Sequence, residues 1–272
     1  MTPVVVGGSS MIAQALRRHP TAVGWRYLSH IEALRDDAWT RQAACVINLA
    51  FDPRLKSESY QPDRDIDLRL ARLLSDRRIP YLMASTRMAY GPADTDGRLA
   101  EDRPAAPINL YGQAKLAAEQ AVVAVLGDRA TILRLSNIFD RSEALGERRS
   151  FFAMALRRLR AENQIAFDMS PFVERDFLPA DLLADWLVRI AEQPVPGLFN
   201  LGAGFAVPTG RIAQWLIAGY GQGGLCITDF REHDGFWLNM AKSRRTWDLA
   251  PVTEDDVRSA CMSIGAIARP VP

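Results

Sequence analysis

Cysteine is scarce in this chain of 272 residues: Cys45, Cys226 and Cys261 are odd in number, widely spaced and form no C-x-x-C pair. That pattern excludes a disulfide framework and a structural zinc site, and no other metal site is expected. A reducing cytoplasm is the compartment it fits. Long apolar runs are missing as well. The N-terminus, Met1-Thr2-Pro3-Val4-Val5-Val6-Gly7-Gly8, has no basic segment, and its apolar stretch is too short for a signal peptide or for the roughly 20 residues of a membrane-spanning helix. Nor does one charge dominate. With 33 basic and 32 acidic residues the net charge is +1, so the bulk electrostatics call for neither nucleic acid nor an anionic membrane as partner.

What is present is an ordinary globular composition, 48% apolar and 24% charged, enough to bury a sizeable core. The length suits one large domain or a domain with a small cap. Val4 to Val6, β-branched and ending in Gly7-Gly8, reads as a buried strand, and Ile12 to Arg18 behind it has the period of a helix. Short apolar runs recur at Tyr27-Leu28, Cys45 to Leu49, Tyr81 to Ala84 and Thr131 to Leu135, separated by amphipathic stretches such as Ile66 to Leu74 and Leu116 to Leu126. Such alternation predicts an α/β fold, a doubly wound parallel sheet with helices on both faces. After about Asn137 the character changes to short strand candidates mixed with helices, which predicts a smaller cap folding back on the sheet. In such sheets ligands bind outside the carboxyl ends of the strands.

Gly7-Gly8-Ser9-Ser10-Met11-Ile12-Ala13 lies between the first strand and the first helix, where backbone N–H groups can meet a pyrophosphate at the helix N-terminus. Against G-x-x-G-x-x-G, Ser10 and Ala13 replace the second and third glycines. Ala13 still allows close packing, whereas Ser10 sets a Cβ where phosphate approaches, although its hydroxyl can donate to a phosphate oxygen. Alone, the segment reads equally as a cradle built from Gly7, Ser9, Ser10, Met11 and Ile12 or as a plain βα turn. The second strand ends as Tyr27-Leu28-Ser29-His30, without the acid that binds the 2′-hydroxyl of NAD and repels the phosphate of NADP. NADP is therefore permitted, with His30, Arg35 or Arg17 either as phosphate partners or simply solvated.

Tyr111-Gly112-Gln113-Ala114-Lys115 begins a predicted helix, so Tyr111 and Lys115, four positions apart, share a face. A tyrosine hydroxyl, with an ordinary pKa of about 10, is a poor proton donor or base near neutrality until an ammonium favours its phenolate. By itself the pair reads also as a structural tyrosine beside a surface lysine. Ser85-Thr86 follows the strand Tyr81 to Ala84, at the ligand-binding edge, 25 positions before Tyr111. A hydroxyl there can bind the same substrate oxygen that Tyr111 protonates, which is shared general acid/base chemistry.

In this order the motifs resemble the extended short-chain dehydrogenase/reductases, the NAD-dependent epimerase/dehydratase family. Val46-Ile47-Asn48-Leu49-Ala50-Phe51 is similar to V-x-H/N-L-A-A, Ser85-Thr86-Arg87-Met88-Ala89-Tyr90-Gly91 to S-S/T-x-x-V-Y-G, and Tyr111 to Lys115 to Y-x-x-x-K. Arg134-Leu135-Ser136-Asn137 resembles R-x-x-N, Arg175 to Leu182 resembles R-D-F-x-x-V-x-D-L, and Phe199 to Gly204 resembles Y-N-L-G-x-G. Arg231-Glu232-His233-Asp234, Asn239-Met240-Ala241-Lys242 and Leu249-Ala250-Pro251 echo R-P-G-D, D-x-S-K and L-G-W-x-P.

The resemblance implies a Rossmann-like NAD(P)-binding domain over residues 1–137 and a substrate-binding cap over 138–272, interleaved with the sheet. It implies catalysis by Tyr111, Lys115 and Thr86. Cofactor contacts would come from the Gly7 to Ile12 loop, His30, Leu49, Ala50 and Phe51. Ser85, Ser136 and Asn137 would join them, together with Tyr111 and Lys115. A nucleotide-sugar substrate would meet Arg87, Met88, Asn137 and Arg231, the last at its diphosphate. A homodimer is compatible with it, and the cofactor is NADP or NAD, with NADP favoured. Arg87 and Met88 stand where sugar 4,6-dehydratases carry an Asp-Glu pair, and methionine cannot transfer a proton, so dehydration is disfavoured. No cysteine occupies that segment, which weakens any likeness to epimerase-reductases such as GDP-fucose synthase. The short chain and the missing acid resemble dTDP-4-dehydrorhamnose reductases most, which implies reduction of a 4-keto sugar. A 4-epimerase with retained NAD and a non-catalytic dinucleotide sensor or partner-binding protein remain the alternatives.

Overall fold

The computed structural model describes residues 1–144 and 150–269. Its centre is a six-stranded sheet of β1 (Thr2–Val6), β2 (Arg26–Leu28), β3 (Ala43–Asn48), β4 (Tyr81–Thr86), β5 (Ala130–Leu135) and β6 (Gly197–Leu201). The strand order is β6-β5-β4-β3-β1-β2, and every neighbouring pair is parallel. The β-branched runs follow from burial on both faces, because successive side chains of a strand point to opposite sides. Val5, Cys45, Ile47, Leu82 and Leu133 belong to the core on one face, whereas Val4, Val6, Val46, Tyr81, Met83 and Ile132 belong to the core on the other. Each such fully buried aliphatic side chain contributes about 1.5–3 kcal/mol relative to an exposed one.

Helices cover both faces. α1 (Met11–Arg18) lies on the first, and α2 (His30–Arg35), α3 (Ile66–Leu73) and α4 (Leu110–Leu126) lie on the second. Further along, α5 (Phe151–Glu162), α6 (Ala180–Glu192) and α7 (Thr209–Tyr220) bury their apolar stripes in the first core. α8 (Ala241–Trp247) and α9 (Glu254–Ile267) add residues such as Trp247, Val257 and Ile264 to it. β1 lies between β2 and β3, so the chain reverses its winding direction there, and the loops leaving β1 and β3 open a crevice at the carboxyl edge.

Element ends differ from their sequence patterns by a residue or two: β3 stops at Asn48 and α3 at Leu73, one residue short of the expected ends, whereas others run further. β4 extends through Thr86, so Ser85 and Thr86 close the strand rather than follow it, and α4 begins at Leu110, ahead of Tyr111. The chain beyond Asn137 supplies β6 to the sheet and α6 beside α1, where Arg18 pairs with Asp140 and, at 2.6 Å, with Asp181. Short ladders join Asn137–Phe139 to Phe177–Pro179, Glu174–Arg175 to Val207–Pro208 and Arg98–Leu99 to Trp237–Leu238. No helix among the described residues is long and apolar enough to cross a membrane.

Candidate active site

α4 starts where its cap dictates. Asn109 accepts from the Gly112 N–H at 2.8 Å through its side-chain oxygen, satisfying one of the unpaired donors of the first turn. Gly112 then lets this turn press on the segment after β4, since a methyl group built on it would stand 2.9 Å from the Met88 carbonyl carbon and closer still to its oxygen. The same segment is capped from the other side, where the Thr86 hydroxyl accepts from the Met88 N–H at 3.2 Å. A hydroxyl that accepts in this way keeps its own proton to donate. Thr86 and Tyr111 are thus joined through Met88 at the carboxyl edge of the sheet.

Lys115, one turn along α4, is 3% exposed and its ammonium lies 3.0 Å from Asp67 on α3. Burial lowers the affinity of this ammonium for its proton, but the Asp67 carboxylate, with smaller contributions from Tyr111 and Asp65, holds the lysine above its ordinary pKa. Phe51, just after β3, packs edge-on against Tyr111 with ring centroids 5.1 Å apart, and Lys115 stands 5.2 Å from the Phe51 centroid. Lys56 lies 5.6 Å from the Tyr111 ring. Tyr111, Lys115 and Phe51 form one cluster, reached from α4 and from the end of β3.

Across the crevice, Gly7 has φ +88°, and a Cβ there would meet the Ala50 nitrogen at 2.7 Å, so β1 and β3 can end this close only with glycine. Ser10 caps α1, accepting from the Ala13 N–H at 3.2 Å, and Ala13 is fully buried against the core. The N–H groups of Met11 and Ile12 belong to the first turn and have no partner within the helix. With the remaining Ser10 proton they make a donor set suited to a phosphate. The serine and the alanine thus both have local structural roles, as helix cap and as packed core residue. Arg17 stacks on Tyr27, its guanidinium carbon 3.9 Å from the ring centroid. Beside it, Ser29 and Glu32 form a capping box at the start of α2, in which His30 is the first residue.

Arg87 follows β4 directly and is largely buried. Its guanidinium carbon lies 3.9 Å from the Phe236 centroid and its Nη1 lies 3.6 Å from Asp234. Burial lowers its pKa to about 10; Asp234 opposes that shift and Arg175 adds to it. Arg175 is depressed for the same reason, with Asp234 as the opposing charge, and its Nε is buried with no partner among the described residues. Two half-buried guanidiniums therefore share one carboxylate. Phe236 and Asp234 line a cavity of about 630 Å³ together with Glu174, Phe205 and Trp237.

Residues 4–202 match the model of the NAD dependent epimerase/dehydratase family. The chain belongs to that family. Among solved structures of the same fold, UDP-glucose 4-epimerase from the hyperthermophile Thermotoga maritima, determined with UDP-glucose, is 18% identical with a TM-score of 0.80, covering 97% of this chain and 98% of that one. The NAD-dependent NDP-hexosamine 5,6-dehydratase TunA of tunicamycin biosynthesis is 20% identical with a TM-score of 0.78, covering 97% of each chain. RMD from Pseudomonas aeruginosa in complex with NADPH is 18% identical with a TM-score of 0.77, covering 98% and 99%.

For this member of the epimerase/dehydratase family, several side chains lie elsewhere than the motifs imply. Ser85 points inward, its hydroxyl donating to Glu119, which also holds Arg134 at 2.6 and 3.0 Å, because alternation along β4 sends Ser85 and Thr86 to opposite faces. Only the backbone of Ser85 is left for a cofactor. Ser136 is tied through its N–H to the Leu201 carbonyl at 3.0 Å, and the Asn137 amide donates to the Asp176 carbonyl at 3.0 Å. Arg231 is not brought to the cavity. Its side chain is 66% exposed and it pairs with Asp229, two residues away, at 2.7 Å. Arg175, within the quoted Arg-Asp-Phe motif, stands by Asp234 instead. Asp67 was not singled out at all, since its partner Lys115 lies 48 positions along the chain.

Proposed function

We propose that this protein is an NAD(P)-dependent oxidoreductase that reduces the keto group of a nucleotide-linked 4-keto sugar. The observation that carries the reading is the contact of Gly112 with Met88, which joins the Tyr111 and Lys115 helix to the Thr86 hydroxyl at the edge facing the Gly7 loop. Tyr111 gives its proton to the ketone oxygen, Thr86 donates a hydrogen bond to the same oxygen, and the Lys115 ammonium stabilises the phenolate left behind. When bound, the reduced nicotinamide supplies the hydride to the carbonyl carbon. Arg87 and Arg175, with one carboxylate between them, have charge to spare for the substrate diphosphate. Met88 cannot transfer a proton, so dehydration is disfavoured. NADP is favoured because Arg17, stacked on Tyr27, is available near the end of β2 and the Glu32 carboxylate is engaged with Ser29.

The 4-epimerase reading stands beside this one, because Ser10 caps α1 and Ala13 packs without conflict, so the loop gives no sign of a loosened hold on the dinucleotide. Stoichiometry separates the two. Purified protein is mixed with NADPH or NADH and dTDP-, UDP- or GDP-linked 4-keto sugars, and absorbance of the reduced cofactor is followed. A reductase consumes one cofactor per sugar. In a parallel mixture of oxidised cofactor and the 4-hydroxy sugars, an epimerase interconverts the C4 epimers with no net change in cofactor, and a sensor binds cofactor and turns over nothing in either mixture.

A further inference from the structure

Asp67, in the first turn of α3, is 1% exposed and collects donors from three other elements. The Lys115 ammonium reaches it from α4 at 3.0 Å, the Asn48 amide from the end of β3 at 2.6 Å and the Tyr81 hydroxyl from β4 at 2.8 Å. Helix capping does not need this carboxylate, because Asp65 already caps α3 by accepting from the Asp67 N–H at 2.9 Å. Asn48 holds the next turn as well, accepting from the Ala50 N–H at 3.0 Å and donating to the Ala50 carbonyl at 3.2 Å. One buried side chain therefore ties Lys115 to the turn that carries Leu49, Ala50 and Phe51, and Phe51 packs against Tyr111.

We propose that Asp67 is a positioning residue for the Tyr111–Lys115 pair, fixing the Lys115 ammonium through a buried ion pair and linking it to the turn at Ala50. The proposal rests on the catalytic reading of Tyr111 and Lys115 given above. An ammonium buried as deeply as Lys115 sheds its proton readily unless a carboxylate compensates, and removing one partner of a buried pair leaves the other uncompensated. The other groups around it do not replace Asp67. Asp65 is taken by the Tyr60 hydroxyl at 2.8 Å, and burial together with Asp67 raises its pKa, which weakens it as a counter-ion. Tyr81, raised well above an ordinary tyrosine by burial and by Asp67, is a neutral donor. Tyr111 carries negative charge only as a phenolate, and Lys56, near the Tyr111 ring, is a like charge.

The chain has only three lysines, Lys56, Lys115 and Lys242, so a lysine-labelled protein gives three side-chain signals, and the one missing from Lys115→Met identifies Lys115. In the wild type, Lys115 keeps its proton at the ordinary lysine value of about 10.4, because its own pKa is held above it. In Asp67→Asn, which keeps the side-chain shape, Lys115 titrates below that ordinary value. The alkaline limb of the turnover profile then moves down by about one pH unit or more. A Lys115 titration unmoved by Asp67→Asn overturns the proposal. Should that variant fail to fold, a wild-type Lys115 that titrates below the ordinary lysine value overturns it equally. The NMR arm needs no turnover. A wild type inert toward every nucleotide sugar is thus a failure of the catalytic reading, and an unmoved Lys115 is a failure of the positioning role.

Discussion

Gly112 and Met88 touch backbone to backbone: the first turn of α4 rests on the carbonyl of Met88 with no room for a Cβ between them. Tyr111 precedes this glycine, and Thr86 caps the turn that presents the carbonyl. Close approach here is what registers the Tyr111 turn against the Thr86 hydroxyl.

Gly112→Ala therefore lifts the start of α4 away from Met88. A misplacement on the order of 1 Å costs roughly 100-fold in rate when the groups must be aligned. Steady-state turnover of the folded variant should fall by at least about tenfold, with circular dichroism unchanged. Wild-type turnover in that variant would show that the contact does not set the geometry.

Arg175→Met and Arg231→Met separate the two candidate diphosphate contacts. Arg175 shares Asp234 with Arg87 and has a buried, unpartnered Nε, so its loss should raise the KM for a nucleotide sugar at least about tenfold, in line with losing a hydrogen bond to a charged group. Arg231 lies on the surface with Asp229, and an exposed pair of this kind contributes little. Its replacement should change KM less than about twofold, and the reverse ranking in steady-state kinetics would contradict the assignment.

Much of this was legible in the sequence. Val4 to Val6 reads as a strand buried on both faces, and Tyr111 with Lys115 reads as a helical pair whose spacing survives in α4. The side-chain directions at the strand end were less legible. Ser85 and Thr86 look alike until β4 is known to include both, after which period-two alternation separates them. Asp67 carries no local signal, because it sits in an ordinary amphipathic helix and acquires its role only when α3 packs against α4. By resemblance Arg231 is the arginine expected at the diphosphate, and Arg175 draws attention only as part of the Arg-Asp-Phe motif. The short ladders set Glu174–Arg175 against Val207–Pro208, whereas Arg231 is exposed beside Asp229.

Asp176 gives a pH dependence of stability. It is fully buried, and desolvation raises its carboxyl to about 6 despite hydrogen bonds from the backbone N–H groups of Leu238, Ala203 and Gly204. An unfolded aspartate releases its proton near 3.9, so between about pH 4 and pH 6 the native chain binds more protons than the unfolded one. Stability from this group is therefore greatest below that window and falls as pH rises through it, by at most about 3 kcal/mol. Asp176→Asn lacks the titration. Urea unfolding at pH 4.5 and 7.5 should show the advantage of the wild type over the variant shrinking at the higher pH, and an advantage that grows would contradict the sign.

The proton donor is the heart of the functional reading, and Tyr111→Phe tests it most directly because it removes one hydroxyl and keeps the ring that packs on Phe51. The variant should fold and bind the dinucleotide as the wild type does. With the 4-keto sugar that the wild type reduces, its single-turnover rate of cofactor oxidation should fall by roughly 10²–10⁴-fold, the loss expected for a missing general acid. A Tyr111→Phe protein that oxidises the cofactor at the wild-type rate would contradict the assignment.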